Sequence, residues 1–231
     1  MIKQLAFDLP VAGTYARQDF FVSGATSQAL AAIDGWRDWP GGKMLLVGPE
    51  GAGKTHLAHI WAGMAGAVLI CGAELAQADL PELAAAGAVC VEDADAIAGN
   101  VAAETALFHL HNLLAQDNLL AQRGRLLITS ASPPRDWGLT LPDLQSRLQA
   151  AMLTVLPAPD DALMAAVLIK LFADRQIAVP PNLIAYLVSR IERSIGTARR
   201  LVARLDAAAL TMGRPVTRTL AAEILDNHGA Q

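Results

Sequence analysis

The feature that most limits what this chain can fold into is the run Gly48-Pro49-Glu50-Gly51-Ala52-Gly53-Lys54-Thr55. It follows an uninterrupted apolar stretch, 43–47, and leads into a segment of helical composition, 55–64. A glycine-rich turn between a buried strand and a helix lets the backbone curl until successive N–H groups face one concavity. The helix that follows adds the positive end of its dipole to the same point. This spacing is that of a phosphate-binding loop, in which the lysine reaches the β and γ phosphates of a nucleotide and the Thr55 hydroxyl binds Mg²⁺. The chain is therefore expected to bind ATP or ADP with Mg²⁺.

Such a loop needs a parallel sheet behind it, and the rest of the chain supplies one. Strand candidates at 43–47, 67–71, 88–92, 125–129 and 152–156 alternate with helical segments at 28–36, 55–64 and 104–122. Leu107, Leu110 and Leu114 mark one face of the last of these. Strands alternating with helices imply a parallel sheet covered on both faces. The pattern changes at Pro157-Ala158-Pro159, after which only helices are expected. Asp160 can cap a helix carrying Leu163, Val167 and Leu171 at i, i+4 and i+8. Pro180-Pro181 opens another. A third runs from Thr197 to Met212 and stops at Gly213, and Thr217 or Thr219 caps a last one. The division is a tail at 1–15, an α/β nucleotide-binding domain at 16–157, and a small all-helical domain at 158–231. The 53% hydrophobic content excludes general disorder, and its alanine richness favours helix over a large β core.

The second half of a nucleotide site is an acid at the tip of a neighbouring strand. Ala88-Val89-Cys90-Val91 followed by Glu92-Asp93 fits, with one acid holding Mg²⁺ through water and the other orienting the attacking water. The histidines at 56, 59, 109 and 111 are read as structural or surface residues, since His109 and His111 diverge on a helix and cannot share a metal. His56 also belongs to the phosphate-loop run and counts among the nucleotide contacts. Cys71 and Cys90 lie inside apolar runs without metal-ligand spacing and are read as two buried free thiols, so a cytoplasmic location is expected. The N-terminus has no apolar secretory leader, and no apolar run is long enough to span a bilayer, so no membrane association is expected. The formal net charge of −4 argues against tight autonomous nucleic-acid binding, although Arg190 to Arg218 holds seven arginines against two acids.

Gly53-Lys54-Thr55-His56-Leu57 resembles the phosphate loop of the bacterial replication initiator DnaA and its relatives in the AAA+ class. Asp19-Phe20-Phe21-Val22-Ser23-Gly24 looks like that family's lead-in segment, which implies that Phe20, Phe21 and Val22 lie against adenine. Leu126-Leu127-Ile128-Thr129-Ser130 resembles its sensor 1 strand, with Ser130 as the sensor group, although Ala131 stands where relatives often carry aspartate. Leu141-Pro142-Asp143-Leu144-Gln145-Ser146-Arg147-Leu148 resembles its arginine-finger segment, which makes Arg147 a catalytic arginine supplied in trans. Thr197-Ala198-Arg199-Arg200-Leu201 resembles its sensor 2 helix, with Arg199 on the nucleotide in cis. The fold implied is an AAA+ P-loop NTPase: a five-stranded parallel sheet with flanking helices, then a small all-α lid. Glu92 departs from the usual aspartate, and being one methylene longer it puts metal geometry and hydrolysis in doubt.

Two features point to one branch of the family. The chain ends at Gln231 without the DNA-binding domain of DnaA, and Gln4-Leu5-Ala6-Phe7-Asp8-Leu9 is similar to peptides that dock on the replicative sliding clamp. In such a peptide Gln4 fills a polar pocket while Leu5, Phe7 and Leu9 fill an apolar one. The resemblance implies a negative regulator of replication initiation that binds the DNA polymerase III sliding clamp, the beta subunit. It meets DNA indirectly through the clamp and promotes hydrolysis of ATP held by DnaA. Its own ATPase activity and any homo-oligomer are left open. The alternatives are a helicase loader or DNA-remodelling ATPase of the same branch, and a self-contained P-loop kinase.

Overall fold

A computed structural model describes residues 15–116 and 124–226 of the chain. The strands are β1 (Lys43–Val47), β2 (Val68–Cys71), β3 (Ala88–Glu92), β4 (Arg125–Ser130) and β5 (Met152–Val155). They form one parallel sheet in the order β2-β3-β4-β1-β5, with Lys43 beside Leu126 and Val47 beside Ser130. The phosphate loop thus leaves the carboxyl end of an inner strand, at the crevice where doubly wound sheets take their ligands.

Period-2 alternation sorts the strand side chains onto two faces. Leu45, Val47, Val89, Val91, Leu126 and Ile128 face α3 (Leu80–Ala85), α4 (Val101–Gln116) and α5 (Pro142–Ala150). Met44, Leu46, Cys90 and Leu127 face α1 (Gly24–Asp34) and α2 (Lys54–Ala65). With both faces covered, the inner strands read as apolar runs rather than as alternating patterns. Trp39 and Trp61 stack at 5.4 Å in the second core, and the Trp39 indole N–H donates to the Ala32 carbonyl at 2.8 Å. Beyond β5 come α6 (Asp161–Asp174), α7 (Pro181–Val188), α8 (Ile195–Met212) and α9 (Arg218–Asp226), which share a separate core around Leu168, Phe172, Leu187, Val202 and Leu205.

The caps explain most boundaries. The Asp160 carboxylate accepts from the Leu163 amide at 2.7 Å, and the Thr217 hydroxyl, not that of Thr219, accepts from the Leu220 amide. Gly213 ends α8 in the left-handed conformation. α1 begins at Gly24, earlier than the expected 28, because the Ser23 amide donates to the Thr26 hydroxyl at 2.8 Å, a capping box built on threonine rather than on glutamate. α3 was not anticipated; Asp79 caps it and Pro81 occupies its first turn. Of the helix expected at 104–122, residues 101–116 are helical and 117–123 lie outside the described residues. Cys90 is buried but Cys71 is half-exposed at the end of edge strand β2, so the expectation of two buried thiols holds for one. No helix among the described residues is long and apolar enough to cross a membrane.

Glu104 ties α4 to the segment before α5. Fully buried, it accepts from the Gly99 amide on one oxygen, and from the Thr140 amide, the Thr140 hydroxyl and the Leu141 amide on the other, at 2.8–3.0 Å. Burial alone would raise its pKa, but these donors together hold it below the ordinary 4.5. A depressed folded-state pKa adds stability above the unfolded value, which is lost as pH falls through the folded one. Glu104→Gln should therefore cost about 1–3 kcal/mol at pH 7 in urea unfolding, with the gap narrowing below about pH 4.5. A gap independent of pH would refute the charge-based account.

Candidate nucleotide site

Gly51 and Gly53 both lie at positive φ, +72° and +109°, the conformation that lets the loop fold back over its own amides. Gly53 is the N-cap of α2, so the free amides of the first helical turn open into the same concavity. Lys54 is buried, and its ammonium donates to the carbonyls of Gly48 at 2.7 Å and Pro49 at 3.2 Å, bracing the curl from inside. A cavity of about 650 Å³ spreads from this loop between the α/β core and the helical bundle.

Glu50, Gly51, Ala52, Gly53, Lys54, Thr55 and His56 all line this cavity, with Asp93 nearby, Phe20 and Phe21 from the lead-in segment, and Arg199 from α8. Gly48 and Pro49 are not on the wall; they act through their carbonyls on Lys54. Burial above all, and more weakly the Arg199 charge, hold His56 below the ordinary imidazole pKa, against the opposing hydrogen bond to Ala16. The neutral ring's Nε2 lies 3.1 Å from the Ala16 carbonyl, an atom that can only accept, so Nε2 carries the proton.

Three expected residues stand elsewhere. Val22 is 60% exposed and off the cavity wall, because the chain turns there into the Ser23 cap of α1. Ser130 is fully buried, and its hydroxyl donates to the Ser132 carbonyl at 2.8 Å, so it turns into the loop after β4 rather than into the cavity. Its neighbour Thr129 takes the linking role, accepting from the Asp93 amide at 3.1 Å. Glu92 is half-buried at the tip of β3 and off the wall, with its Oε1 buried and without a hydrogen-bond partner. Asp93 adopts φ 48°, ψ 48°, a left-handed conformation that aspartate tolerates and that aims its side chain differently from a continuing strand. Arg147 is exposed on α5 and does not line the cavity. Gln4, Leu5, Phe7 and Leu9 lie outside the described residues.

The structure also brings in residues the sequence did not offer. Tyr15 stacks on His59 at 4.2 Å with its ring nearly parallel, and Arg199 lies 5.9 Å over the same ring. Lys170 on α6 reaches Asp19 at 3.3 Å and Asp174 at 2.9 Å, an ion pair across the cavity between lead-in segment and lid. Leu163, Val167 and Leu171 were legible as a helical stripe, and the structure turns that stripe onto the cavity wall. Ionic contacts between distant helices have no local sequence signal.

A polyphosphate fits this arrangement: it meets the amides of the loop and first helical turn and one buried ammonium, with Glu50 the one acid that the loop itself carries on the cavity wall. Asp93 and Thr55, both on the cavity wall, supply oxygen chemistry suited to Mg²⁺, whereas the orphaned Glu92 oxygen is buried off it. Among the described residues no cluster of three histidine, cysteine or acidic side chains forms an independent metal site.

No known protein-family profile matches the chain. Its structure is similar to domain III of the Thermotoga maritima replication initiation protein DnaA, with TM-score 0.78 and 20% identity over 95% of this chain and 98% of that one. It is also similar to AMPPCP-bound DnaA from Aquifex aeolicus, at TM-score 0.68 and 16% identity, covering 84% of this chain and 65% of that one. The RuvB Holliday junction branch migration motor of Thermotoga maritima matches at TM-score 0.62 and 17% identity, over 87% and 66%. The chain has the AAA+ P-loop fold. In that fold the helical bundle is the lid, and here the lid touches the phosphate loop directly: the Ile195 amide donates to the Gly51 carbonyl at 2.9 Å.

A Cβ on Gly51 would collide with the Ser194 side chain at the start of that lid helix, besides straining the positive φ. Gly51→Ala should accelerate amide exchange across 194–197 and lower the melting temperature by a few degrees, roughly 2–4 °C per kcal/mol lost in a chain of this size. Unchanged exchange there would show that lid and loop are not coupled through this contact.

Proposed function

We propose that this chain is a DnaA-related AAA+ nucleotide-binding regulator of replication initiation, resembling the protein called Hda. It binds ATP or ADP with Mg²⁺ in the cavity between core and lid. It docks on the DNA-loaded sliding clamp through Gln4–Leu9 and presents Arg147 to ATP bound by a neighbouring DnaA, promoting its hydrolysis. The chain's own nucleotide favours the closed arrangement of core and lid and so acts as a docking switch.

The observation that carries this reading is the separation of Arg147 from the chain's own phosphate loop. Its charge acts on Lys43, the first residue of β1, whereas the loop leaves β1 at its other end. Five residues of parallel strand put those ends roughly 15 Å apart. An arginine so placed has no reach to nucleotide in cis, while an arginine supplied in trans is worth about 10³-fold or more in phosphoryl-transfer rate.

The arginine-rich lid weighs against a loader that grips single strands. Arg193 pairs with Asp161 and Arg214 with Glu223, Arg190 and Arg218 stack on Tyr186, Arg200 donates to Thr197, and Arg204 donates to the Ile224 carbonyl. These arginines are spent within the lid rather than arrayed as a phosphate-binding face.

The test is ATP hydrolysis by DnaA in the presence of clamp-loaded DNA. Arg147→Ala should bind ADP as the parent does and lose stimulation by about 10²-fold or more, and Gln4→Ala with Phe7→Ala should lose stimulation together with clamp binding. Full stimulation by Arg147→Ala would remove the regulator reading.

A further inference from the structure

Arg147 is exposed on α5, and the sequence offers it an obvious partner. Asp143 stands four residues earlier on the same helix, the spacing at which opposite charges pair. No such pair forms, and no acid lies within salt-bridge distance of Arg147 among the described residues. The guanidinium instead sits over the ring of Phe108 on α4, with its centre 5.1 Å from the ring centroid. Phe108 is half-buried, held from below by the core that α4 and α5 share through Leu107, Leu110, Leu144 and Leu148.

The surroundings are basic. His111 lies one helical turn beyond Phe108, buried, with its Nδ1 3.4 Å from the buried Lys43 ammonium. Burial first, and the Arg147 charge after it, bring Lys43 down to about 8. Burial, then the Lys43 charge and more weakly that of Arg147, take His111 to about 4. Arg147 thus stands beside the Lys43 charge and an aromatic face, with no counter-anion among the described residues. An aromatic face attracts a guanidinium without neutralising it and limits its rotamers. A cation held this way keeps its full charge for an anion arriving from outside and has part of its ordering cost already met.

We infer that Phe108 is a positioning residue for Arg147: its ring seats the guanidinium, extended and unpaired, toward the polyphosphate of a nucleoside triphosphate carried by a second molecule. This rests on the proposal that Arg147 acts in trans. Phe108 touches neither nucleotide nor the reacting atoms, so its loss lowers the rate at saturation rather than the affinity for the partner.

The experiment titrates Phe108→Leu, Phe108→Met, Phe108→Trp and Arg147→Ala into DnaA loaded with labelled ATP on clamp-bound DNA. Thermal melting and ADP affinity of each variant are measured in parallel. Phe108→Leu and Phe108→Met should lower the saturating hydrolysis rate by about threefold to tenfold, the range a lost cation–π seat represents. The half-saturating concentration, ADP affinity and melting temperature should stay near parental values. Phe108→Trp should restore the rate, and Phe108→Leu should add no further loss to Arg147→Ala. If Arg147→Ala loses stimulation while well-folded Phe108→Leu and Phe108→Met keep the parental saturating rate, the positioning role is overturned and the trans arginine stands. If Arg147→Ala itself stimulates normally, the trans reading falls and the positioning role falls with it.

Discussion

A buried ammonium against two carbonyls holds the centre of this molecule. Lys54 is 8% exposed, and its amine bridges Gly48 and Pro49, the first two residues of the loop that the lysine itself ends. A charge taken out of water is costly unless its hydrogen bonds are met, so the loop's path and the lysine's burial depend on each other. The positive φ at Gly51 and Gly53 makes that path available, and the inner position of β1 in the sheet makes it rigid. The nucleotide cavity is arranged around this curl: Asp93 just past the tip of β3, the lead-in segment with Phe20 and Phe21, and the lid contact from Ile195.

Chemistry on the molecule is divided between its two ends. The carboxyl ends of the strands hold the cavity. The opposite ends, where β1 begins at Lys43, hold Arg147 on its aromatic seat. α4 and α5 run between the two ends, and at the cavity end Glu104 fixes their relation by accepting from Gly99 on one side and Thr140 and Leu141 on the other. A nucleotide cavity at one end and, at the other, an arginine with no acid partner among the described residues suit a head-to-tail contact, because such a contact joins unlike surfaces. In the proposed regulator this chain provides the arginine end and the initiator provides the nucleotide end.

The parts legible in the sequence were those with a local rule. The phosphate loop has fixed spacing, each strand is an apolar run, and Asp160 and Gly213 mark helix ends by their own chemistry. Leu107, Leu110 and Leu114 fell on one face as their spacing demanded, and all three are fully buried. What sequence missed is set by tertiary context. Val22 and Ser130 lie in segments that resemble nucleotide-contacting ones, but the orientation of one side chain depends on where the chain turns next: into the α1 cap for Val22, toward Ser132 for Ser130. The Lys170–Asp19 pair joins residues 151 positions apart in number, and neither position carries a pattern pointing at the other. The absent Asp143–Arg147 pair is the reverse case, a local rule overridden by an aromatic ring on a neighbouring helix.

The claim beneath all of this is that the Gly48–Thr55 loop holds a nucleotide polyphosphate against the Lys54 ammonium. Isothermal titration calorimetry of ADP and ATP with Mg²⁺ into the parent chain and Lys54→Ala tests it most directly. The account predicts saturable one-to-one binding by the parent and a loss of at least about 100-fold in affinity for the variant, the scale on which a buried charge-assisted contact is lost. Equal binding by both, or no heat from either nucleotide with the parent, would contradict it.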